Sequence, residues 1–487
     1  MFRSPETIIK ADARSTGGEV MPPSIEFGAL MPHPPLLIPS IGKEELSHVH
    51  YTQVAMQQTC ADIVKASPDV VIIVSPHGPM FEDAIVIMDG DDLRGDLKPF
   101  GVDESYQAQN DRPLASSIAE QGKQEGVPLI LLEDHLKRKF QIHHELDYGT
   151  IVPLHYLQQA GYAGKIVLLA PGFLPLERVY QAGMCVRKAI ELLGRKVVII
   201  ASGDNSHALV EQSPAGATEE GKRFDAALQK ALSLEDWMSL FTLAPDFLER
   251  AAEDTLGSLF LLIGAFDTDE LKGSVLSYEA PFGVGYTVAT LKPQHGSAPS
   301  LLPSMIASRE ETIARLRARE SEHVRLARMA VETYVREERL IQLASVPTEF
   351  EQQAGCFVSI KQNGKLRGCI GTIRPTADHL ADEIVRNAIA ACSEDDRFFP
   401  VEEDELSQLT YSVDVLEPEE EVKDISELDP SVYGVIVSDG QRSGLLLPNL
   451  EGIHTVEEQL YYAKEKAGIH PEQEHVRMFR FRVQRYV

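Results

Sequence analysis

The sequence contains few cysteines, a deficit of basic residues and no long apolar run. Five cysteines scattered over 487 residues are too few for a disulfide framework, which fits a reducing cytoplasm. Lys and Arg number 46 against 74 Asp and Glu, and the net charge of −28 argues against nucleic acid or an anionic membrane as the main partner. No apolar run reaches the roughly 18 residues that a membrane span needs. The composition therefore predicts a cytoplasmic globular protein of about two to four domains.

Residues 1–24 form a polar stretch without the continuous apolar segment of a secretory signal. We expect them to be a polar arm that precedes the first strand.

Short apolar runs alternate with helical patterns from residue 25 onward. The runs at 69–75, 165–172 and 196–203 are continuous stretches rich in Val, Ile and Leu, each closed by turn residues. Such runs separated by helices predict an α/β domain with a mostly parallel sheet covered by helices on both faces. A strand pair at 277–291 would close this first domain, which we place at 25–293.

A stretch rich in Pro, Ser and Gly at 292–304 is typical of a linker, and a charged helical pattern follows it. We assign 294–321 to this linker and a connecting helix. Further strand and helix patterns predict that 322–487 is a smaller α/β domain.

Three of the 15 histidines come directly after predicted strands of the first domain. They are His33, His77 and His207. The carboxyl ends of parallel strands share one edge of a sheet, where ligand crevices form. A single histidine at such an edge is more often an ordinary loop residue. Three histidines from three separate strands favour a functional site.

Two histidines and a carboxylate with open coordination positions suit non-haem Fe(II). The carboxylate candidates are Glu253 and Asp254, which precede a very apolar helix. Either residue could instead be a charge that stabilises the helix N-terminus. The pattern alone does not choose between them.

The first domain resembles the class III extradiol dioxygenase superfamily, the LigB-like fold that also contains the Memo proteins. The matching motifs are MPHPP, VSPHG, SGDNSH, AAED…GSLFLLIGA and SYEAPFGVGY. The resemblance implies Fe(II) held by His33, His77 and Glu253, with His207 as an acid/base at the substrate. It also implies a small aromatic diol or aminophenol as the substrate, cleaved with O₂.

One position departs from this resemblance. Dioxygenase members have a histidine in a D-H-G-T segment, where this sequence reads LDYGT with Tyr148. Tyrosine can donate a hydrogen bond but is a poor base near pH 7, because its ordinary pKa is ~10. We expect Tyr148 to line the site as a neutral donor, with weak or absent cleavage of simple catechols. The alternative is a metal-binding protein without oxygenase chemistry, in a regulatory, assembly, lyase or hydrolase role.

The second domain resembles the AMMECR domain. The matching segments are GKLRGCIGT, IVRNAIAACSEDDRFFPV, YSVDVL and SGLLLP. The resemblance implies partnership with a radical-SAM protein and a Memo-like protein, as in the AmmeMemoRadiSam system.

A cysteine in the LRGCIGT segment is the candidate functional residue of this second domain. With a two-residue Asn-Gly turn at 363–364, Cys369 would pair with Val358, and Arg367 would share its face. A functional interpretation makes Cys369 a nucleophile or redox thiol and Arg367 an anion clamp. We favour the structural interpretation, in which Cys369 is a small buried hydrophobe. Cys356 would be a diagonal neighbour of Cys369, which is too distant for a disulfide.

Overall fold

The computed structural model describes residues 24–143, 145–342, 345–450, 452–471, 473 and 476–487. Residues 1–23 of the predicted polar arm lie outside them. The chain divides into two compact units, of which the first ends at Ile306 and the second begins at Ala307. Within the described part of the chain, no helix is both long enough and apolar enough to cross a bilayer.

The strands of the first unit are β1 Ser24–Met31, β2 Val70–Val74, β3 Ile85–Met88, β4 Asp92–Asp96, β5 Ser105–Gln109, β6 Leu129–Leu132, β7 Lys165–Ala170, β8 Lys196–Ser202, β9 Asp269–Glu279 and β10 Tyr286–Ser297. Its helices are α1 Pro39–Gly42, α2 His50–Ala66, α3 Arg112–Glu125, α4 Asp134–Lys139, α5 Tyr148–Gln159, α6 Leu176–Leu193, α7 Glu219–Leu234, α8 Trp237–Phe241, α9 Pro245–Ala251 and α10 Leu256–Ala265. A further helix, α11 Leu302–Arg317, spans the boundary between the units.

Eight of these strands form one mixed sheet in the order β6-β3-β7-β2-β8-β1-β10-β9. The central strands β7, β2, β8 and β1 run parallel to one another. On one side, β10 and β9 add antiparallel strands, and on the other side β3 pairs antiparallel with β7. The predicted α/β architecture is confirmed, with a parallel centre and antiparallel pairing toward the edges.

Successive residues of the central strands point into two separate cores. In β2, Val70, Ile72 and Val74 pack in a cluster with residues of α3, α6, α7 and α10. Val71 and Ile73 pack in a second cluster with residues of α2 and α5. All five side chains are fully buried. Burial on both faces explains why this strand has a continuous apolar sequence rather than an alternating one.

The second unit contains two four-stranded antiparallel sheets, in the orders β12-β11-β13-β18 and β14-β17-β15-β16. Its strands are β11 Cys356–Gln362, β12 Lys365–Gly371, β13 Leu409–Leu416, β14 Glu420–Val422, β15 Gly434–Ser438, β16 Ser443–Leu446, β17 Arg477–Phe481 and β18 Val483–Tyr486. Its helices are α12 Glu322–Glu337, α13 Leu380–Ser393 and α14 Val456–Lys466.

The stretch assigned to a linker and connecting helix is largely regular. β10 continues to Ser297, and α11 occupies most of the residues that follow. Ser321 then begins α12, because its hydroxyl accepts a hydrogen bond from the Val324 backbone N–H at 3.3 Å.

The predicted strand register of the β11–β12 hairpin is wrong by one residue. The turn at 363–364 has two residues with positive φ of 59° and 80°, as an Asn-Gly turn requires. A bulge at Arg367 then shifts the ladder, so that Cys369 lies opposite Ser359 rather than Val358.

Candidate metal centre

Three side chains converge beyond the carboxyl ends of the central parallel strands. His33 follows β1, His77 follows β2, and Asp254 lies between α9 and α10. The Nε2 atoms of the two histidines are 2.9 Å apart. Asp254 Oδ2 lies 3.4 Å from His33 Nε2 and 3.2 Å from His77 Nε2.

These separations match three ligands on one face of a metal ion. With metal–ligand bonds of about 2.1 Å, the three distances correspond to angles of about 87°, 99° and 108° at a common centre. Angles in this range suit three neighbouring positions of an octahedral or a tetrahedral ion, and the remaining positions are left for other ligands. Two imidazole nitrogens and one carboxylate oxygen are the donor set of non-haem Fe(II) sites.

His33 is held by a hydrogen-bond chain that selects its ligand nitrogen. Its Nδ1 lies 2.9 Å from Ser202 Oγ, which in turn donates to the Gly149 carbonyl at 2.5 Å. That carbonyl lacks its usual helical partner, because residue 153, four positions later in α5, is a proline. Because the Ser202 hydroxyl donates its proton to this carbonyl, its oxygen accepts a hydrogen bond from Nδ1–H of His33. In the neutral ring, Nε2 then keeps its lone pair for a metal.

The two oxygens of the Asp254 carboxylate have different partners. Oδ1 accepts a hydrogen bond from the Asp204 backbone N–H at 2.7 Å, which leaves Oδ2 facing the histidines. Burial by itself would raise the pKa of Asp254, but cationic His33 and hydrogen bonds from His33 and His77 outweigh it and hold the pKa below its usual range. Burial lowers the pKa of His33, whereas the charges of Asp204 and Asp254 raise it, with a net rise to about 9. A metal at this position would therefore have to displace a proton from Nε2 to bind the neutral ring.

Glu253, which the resemblance implied as the carboxylate ligand, is turned away from the histidines. Its Oε2 accepts hydrogen bonds from the backbone N–H groups of Thr255 and Leu256, both at 2.8 Å, at the start of α10. Burial of this carboxyl raises its pKa to about 7. The two consecutive side chains point in different directions. Glu253 binds the N–H groups at the helix N-terminus, and Asp254 lies next to the histidines. The structure therefore corrects the carboxylate of the predicted set from Glu253 to Asp254.

Tyr148 lies where the sequence analysis expected it, beside the histidines. Its hydroxyl is 2.9 Å from Nδ1 and 2.8 Å from Nε2 of His77, and the two rings stack with centroids 4.2 Å apart. Asp147 caps the N-terminus of α5 and accepts a hydrogen bond from Ser75 Oγ at 2.6 Å, which ties this helix to the end of β2. Burial, followed by the charges of nearby aspartates, raises the pKa of Tyr148, so its hydroxyl is a neutral donor at pH 7.

His207 is not one of the three converging side chains, although it lies close enough to contribute to the lowered pKa of Asp254. Its backbone N–H donates to the Ala252 carbonyl at 3.1 Å, and its ring Nδ1 lies 2.8 Å from the same oxygen. Because a carbonyl can only accept, Nδ1 carries a proton in this contact. The other ring nitrogen, Nε2, is therefore the one able to exchange a proton with a ligand.

Two further residues near the histidines were not predicted from the sequence, although both lie in the SGD motif at the end of β8. Ser202 orients His33, as described above. Asp204 is 4% exposed, and its Oδ1 accepts the backbone N–H of His33 at 2.9 Å. Their polar side chains at the end of an apolar strand are the same signal that identified the histidines.

In the second unit, Arg367 is not available as the anion clamp of the functional interpretation. Its guanidinium forms two hydrogen bonds of 2.8 Å to the Glu405 carboxylate and a third of 2.9 Å to the Phe399 carbonyl. Cys369 Sγ accepts a hydrogen bond from Ser359 Oγ at 3.3 Å. The five cysteines of the chain are free thiols. Cys356 is not the predicted diagonal neighbour of Cys369, because Cys369 pairs with Ser359, three positions further along β11. Cys369 is half-buried, which corrects the prediction of a buried side chain.

Comparisons with known proteins agree with the division into two units. A family model described as the catalytic LigB subunit of aromatic ring-opening dioxygenase matches residues 28–289, and the AMMECR1 model matches residues 324–486. Protein CA_C1420 of Clostridium acetobutylicum is 38% identical over 445 residues, which cover 90% of this chain and 94% of that protein. A protein of Thermotoga maritima is 53% identical over 170 residues, which cover 34% of this chain and 98% of that protein.

A solved structure, that of protein JW3007 of Escherichia coli K12, is 15% identical with a TM-score of 0.37, and the match covers 55% of this chain and 99% of that chain. The family match spans more than half of the sequence, and the Clostridium relative extends over nearly all of it. The chain therefore belongs to the family of the catalytic LigB subunit of aromatic ring-opening dioxygenases, and its second unit is an AMMECR1 domain.

Proposed function

We propose that this protein is a non-haem Fe(II) enzyme of the extradiol dioxygenase type, acting with O₂ on a small aromatic diol or aminophenol. The proposal rests on the convergence of His33 Nε2, His77 Nε2 and Asp254 Oδ2 within 2.9–3.4 Å of one another. Bound Fe(II) would supply coordination positions for the substrate and O₂, and it would conduct electrons from the substrate to O₂. Membership of the LigB family supports the same class of chemistry.

The residues around this cluster have separate tasks in the proposed reaction. Ser202 keeps the His33 ring in the orientation that presents Nε2. His207 would take the proton of a substrate hydroxyl through Nε2, since its Nδ1 is engaged by a backbone carbonyl. Tyr148 would donate a hydrogen bond to a substrate or oxygen atom beside His77.

Anaerobic purification followed by metal analysis and O₂-uptake assays tests this proposal. We expect about one iron per chain after reconstitution with Fe(II), and O₂ consumption with at least one member of a panel of catechols and aminophenols. Protein reconstituted with Zn(II) is the matched control, since zinc occupies such sites without redox chemistry. A full complement of iron without O₂ uptake across the panel would contradict the oxygenase part.

A second candidate function is a metal-binding protein without oxygenase activity, in a regulatory, assembly, lyase or hydrolase role with a radical-SAM partner. Tyr148 is the observation that favours it. A half-buried tyrosine with a raised pKa can orient a ligand but cannot exchange a proton near pH 7, as a histidine in that place would.

The variant Tyr148→His separates the two candidates. A gain in catechol-dependent O₂ uptake over the wild type would support a dioxygenase whose activity on catechols is limited by this residue. If neither the wild type nor Tyr148→His consumes O₂ with a catechol, while both hold the same amount of iron, the second candidate would be favoured. Vigorous cleavage of catechol by the wild type would show that Tyr148 does not limit the reaction.

A further inference from the structure

The β4–β5 hairpin is a separate two-stranded sheet, and its tip contacts Tyr148, which lies beside the metal-ligand cluster of His33, His77 and Asp254. The Arg94 carbonyl in β4 accepts hydrogen bonds from the backbone N–H groups of Glu145 and Leu146 at 3.0 and 3.1 Å. Gly95 lies so close to this segment that a Cβ would overlap the Leu146 carbonyl. The hairpin is therefore fixed to the segment just before Tyr148.

Phe100 stands at the tip of this hairpin, in the short turn Lys98–Phe100. Its ring packs edge-to-face on Tyr148, with centroids 5.4 Å apart and an angle of 74° between the ring planes. Tyr148 in turn stacks on His77, a proposed metal ligand. The rings of His77, Tyr148 and Phe100 thus form a series that leads away from the proposed metal position.

Phe100 is 39% exposed, although its position is fixed and its side chain is apolar. Because the Phe100 ring is exposed and its plane is inclined at 74° to that of Tyr148, the two rings form an open corner. A planar ligand can fill such a corner by stacking on one ring and meeting the other edge-on, which are the two favourable arrangements of aromatic pairs. The Tyr148 hydroxyl lies 2.8 Å from His77 Nε2, so a molecule in the remaining coordination positions meets Tyr148 first and Phe100 next.

We propose that Phe100 is a specificity-determining residue, which packs against the ring of an aromatic ligand held beside His33, His77 and Asp254. This inference rests on the proposed function and adds to it the side chain that distinguishes aromatic from aliphatic ligands with the same donor atoms.

The test compares two chelating ligands on anaerobic, metal-reconstituted protein. 4-Nitrocatechol is an aromatic ligand with two oxygen donors, and acetohydroxamate is an aliphatic one. Binding of 4-nitrocatechol is followed by its absorbance, and binding of acetohydroxamate by calorimetry. Phe100→Ala should weaken 4-nitrocatechol about tenfold, because a ring contact and buried apolar area are lost. Its affinity for acetohydroxamate should change less than about twofold, with metal content unchanged.

Leu192→Ala is the matched control. Leu192 is 69% exposed and lies at the end of α6, just before the amino end of β8, which is the sheet edge opposite the metal-ligand cluster. This variant should bind both ligands as the wild type does.

Normal 4-nitrocatechol binding by Phe100→Ala, or an equal loss for both ligands, would overturn the role of Phe100 while leaving the metal centre intact. Wild-type protein that takes up no metal, or binds metal but neither ligand, would overturn the proposed function and this inference with it.

Discussion

Replacing Ser202 with alanine should weaken metal binding while leaving all three proposed ligands in place. Ser202 is fully buried between His33 Nδ1 and the Gly149 carbonyl. Without its hydroxyl, a buried ring N–H and a buried carbonyl both lose their partner. The His33 ring is then free to change its tautomer or its orientation, and either change removes Nε2 from the ligand position.

The expected loss of metal affinity is about 10- to 100-fold, or about 1.4–2.8 kcal/mol, as is typical when the partner of a ligating histidine is removed. The unsatisfied buried groups should also lower the free energy of unfolding of the apo protein by about 1–3 kcal/mol. The two effects are separable, because affinity is measured on protein that is still folded.

Competition with a chromophoric chelator under anaerobic conditions measures the affinity. Thr59→Val is a suitable control, since Thr59 is fully buried in α2 and its hydroxyl donates to the Ala55 carbonyl at 2.8 Å, away from the histidines. It should lower stability by about 1 kcal/mol with no change in metal affinity. A Ser202→Ala protein that binds metal within twofold of the wild type would refute this account of His33.

Three further variants test other parts of the structure. His207→Ala should keep its metal but lose about 10²–10⁴-fold of any turnover, as measured by O₂ uptake, because it removes an acid/base and not a ligand; loss of the metal would reassign it as a ligand. Gly149→Ala should lower thermal stability and metal affinity together, because the added Cβ would lie only 2.5 Å from Ser75 Oγ and the start of α5 would have to shift. An unchanged metal affinity would show that this shift does not disturb the metal ligands. Hydrogen bonds from Arg397 lower the pKa of Asp395 from 3.8 to about 2, so its ionised form stabilises the fold above about pH 4, and this stabilisation is lost as the pH falls toward 2. Asp395→Asn should therefore lower the free energy of unfolding by about 2 kcal/mol at pH 7, as measured with denaturant, and by about half of that at pH 3. A difference from the wild type that does not depend on pH would contradict the assigned pKa.

The sheet and the placement of the histidines could be predicted because both depend on short-range patterns. Continuous apolar runs such as 70–74 mark strands that are buried on both faces, and a histidine directly after such a run has to lie at the carboxyl edge. His33 and His77 follow this rule. The Asn-Gly turn at 363–364 was predictable for a similar reason, since positive φ at two successive residues restricts the choice of residue.

The choice between Glu253 and Asp254 could not be made from the same patterns. Two adjacent carboxylates before a helix differ in direction only once the backbone entering α10 is known. The bulge at Arg367 was equally hidden, because the Asn-Gly turn determines only the pairing of the residues next to it, and the ladder shifts beyond them. Phe100 carries no signal in the sequence, since its contact with Tyr148 follows from the attachment of the hairpin to Glu145 and Leu146.

Metal content of two neighbouring variants tests the central claim most directly. Asp254→Asn and Glu253→Gln each replace a carboxyl group by an amide, at consecutive positions, with nearly unchanged side-chain volume. After anaerobic reconstitution with Fe(II) and removal of excess metal, we expect Asp254→Asn to retain little iron and Glu253→Gln to retain a complement close to that of the wild type. Loss of iron from Glu253→Gln alone, with a full complement in Asp254→Asn, would contradict the assignment of His33, His77 and Asp254 as the metal centre.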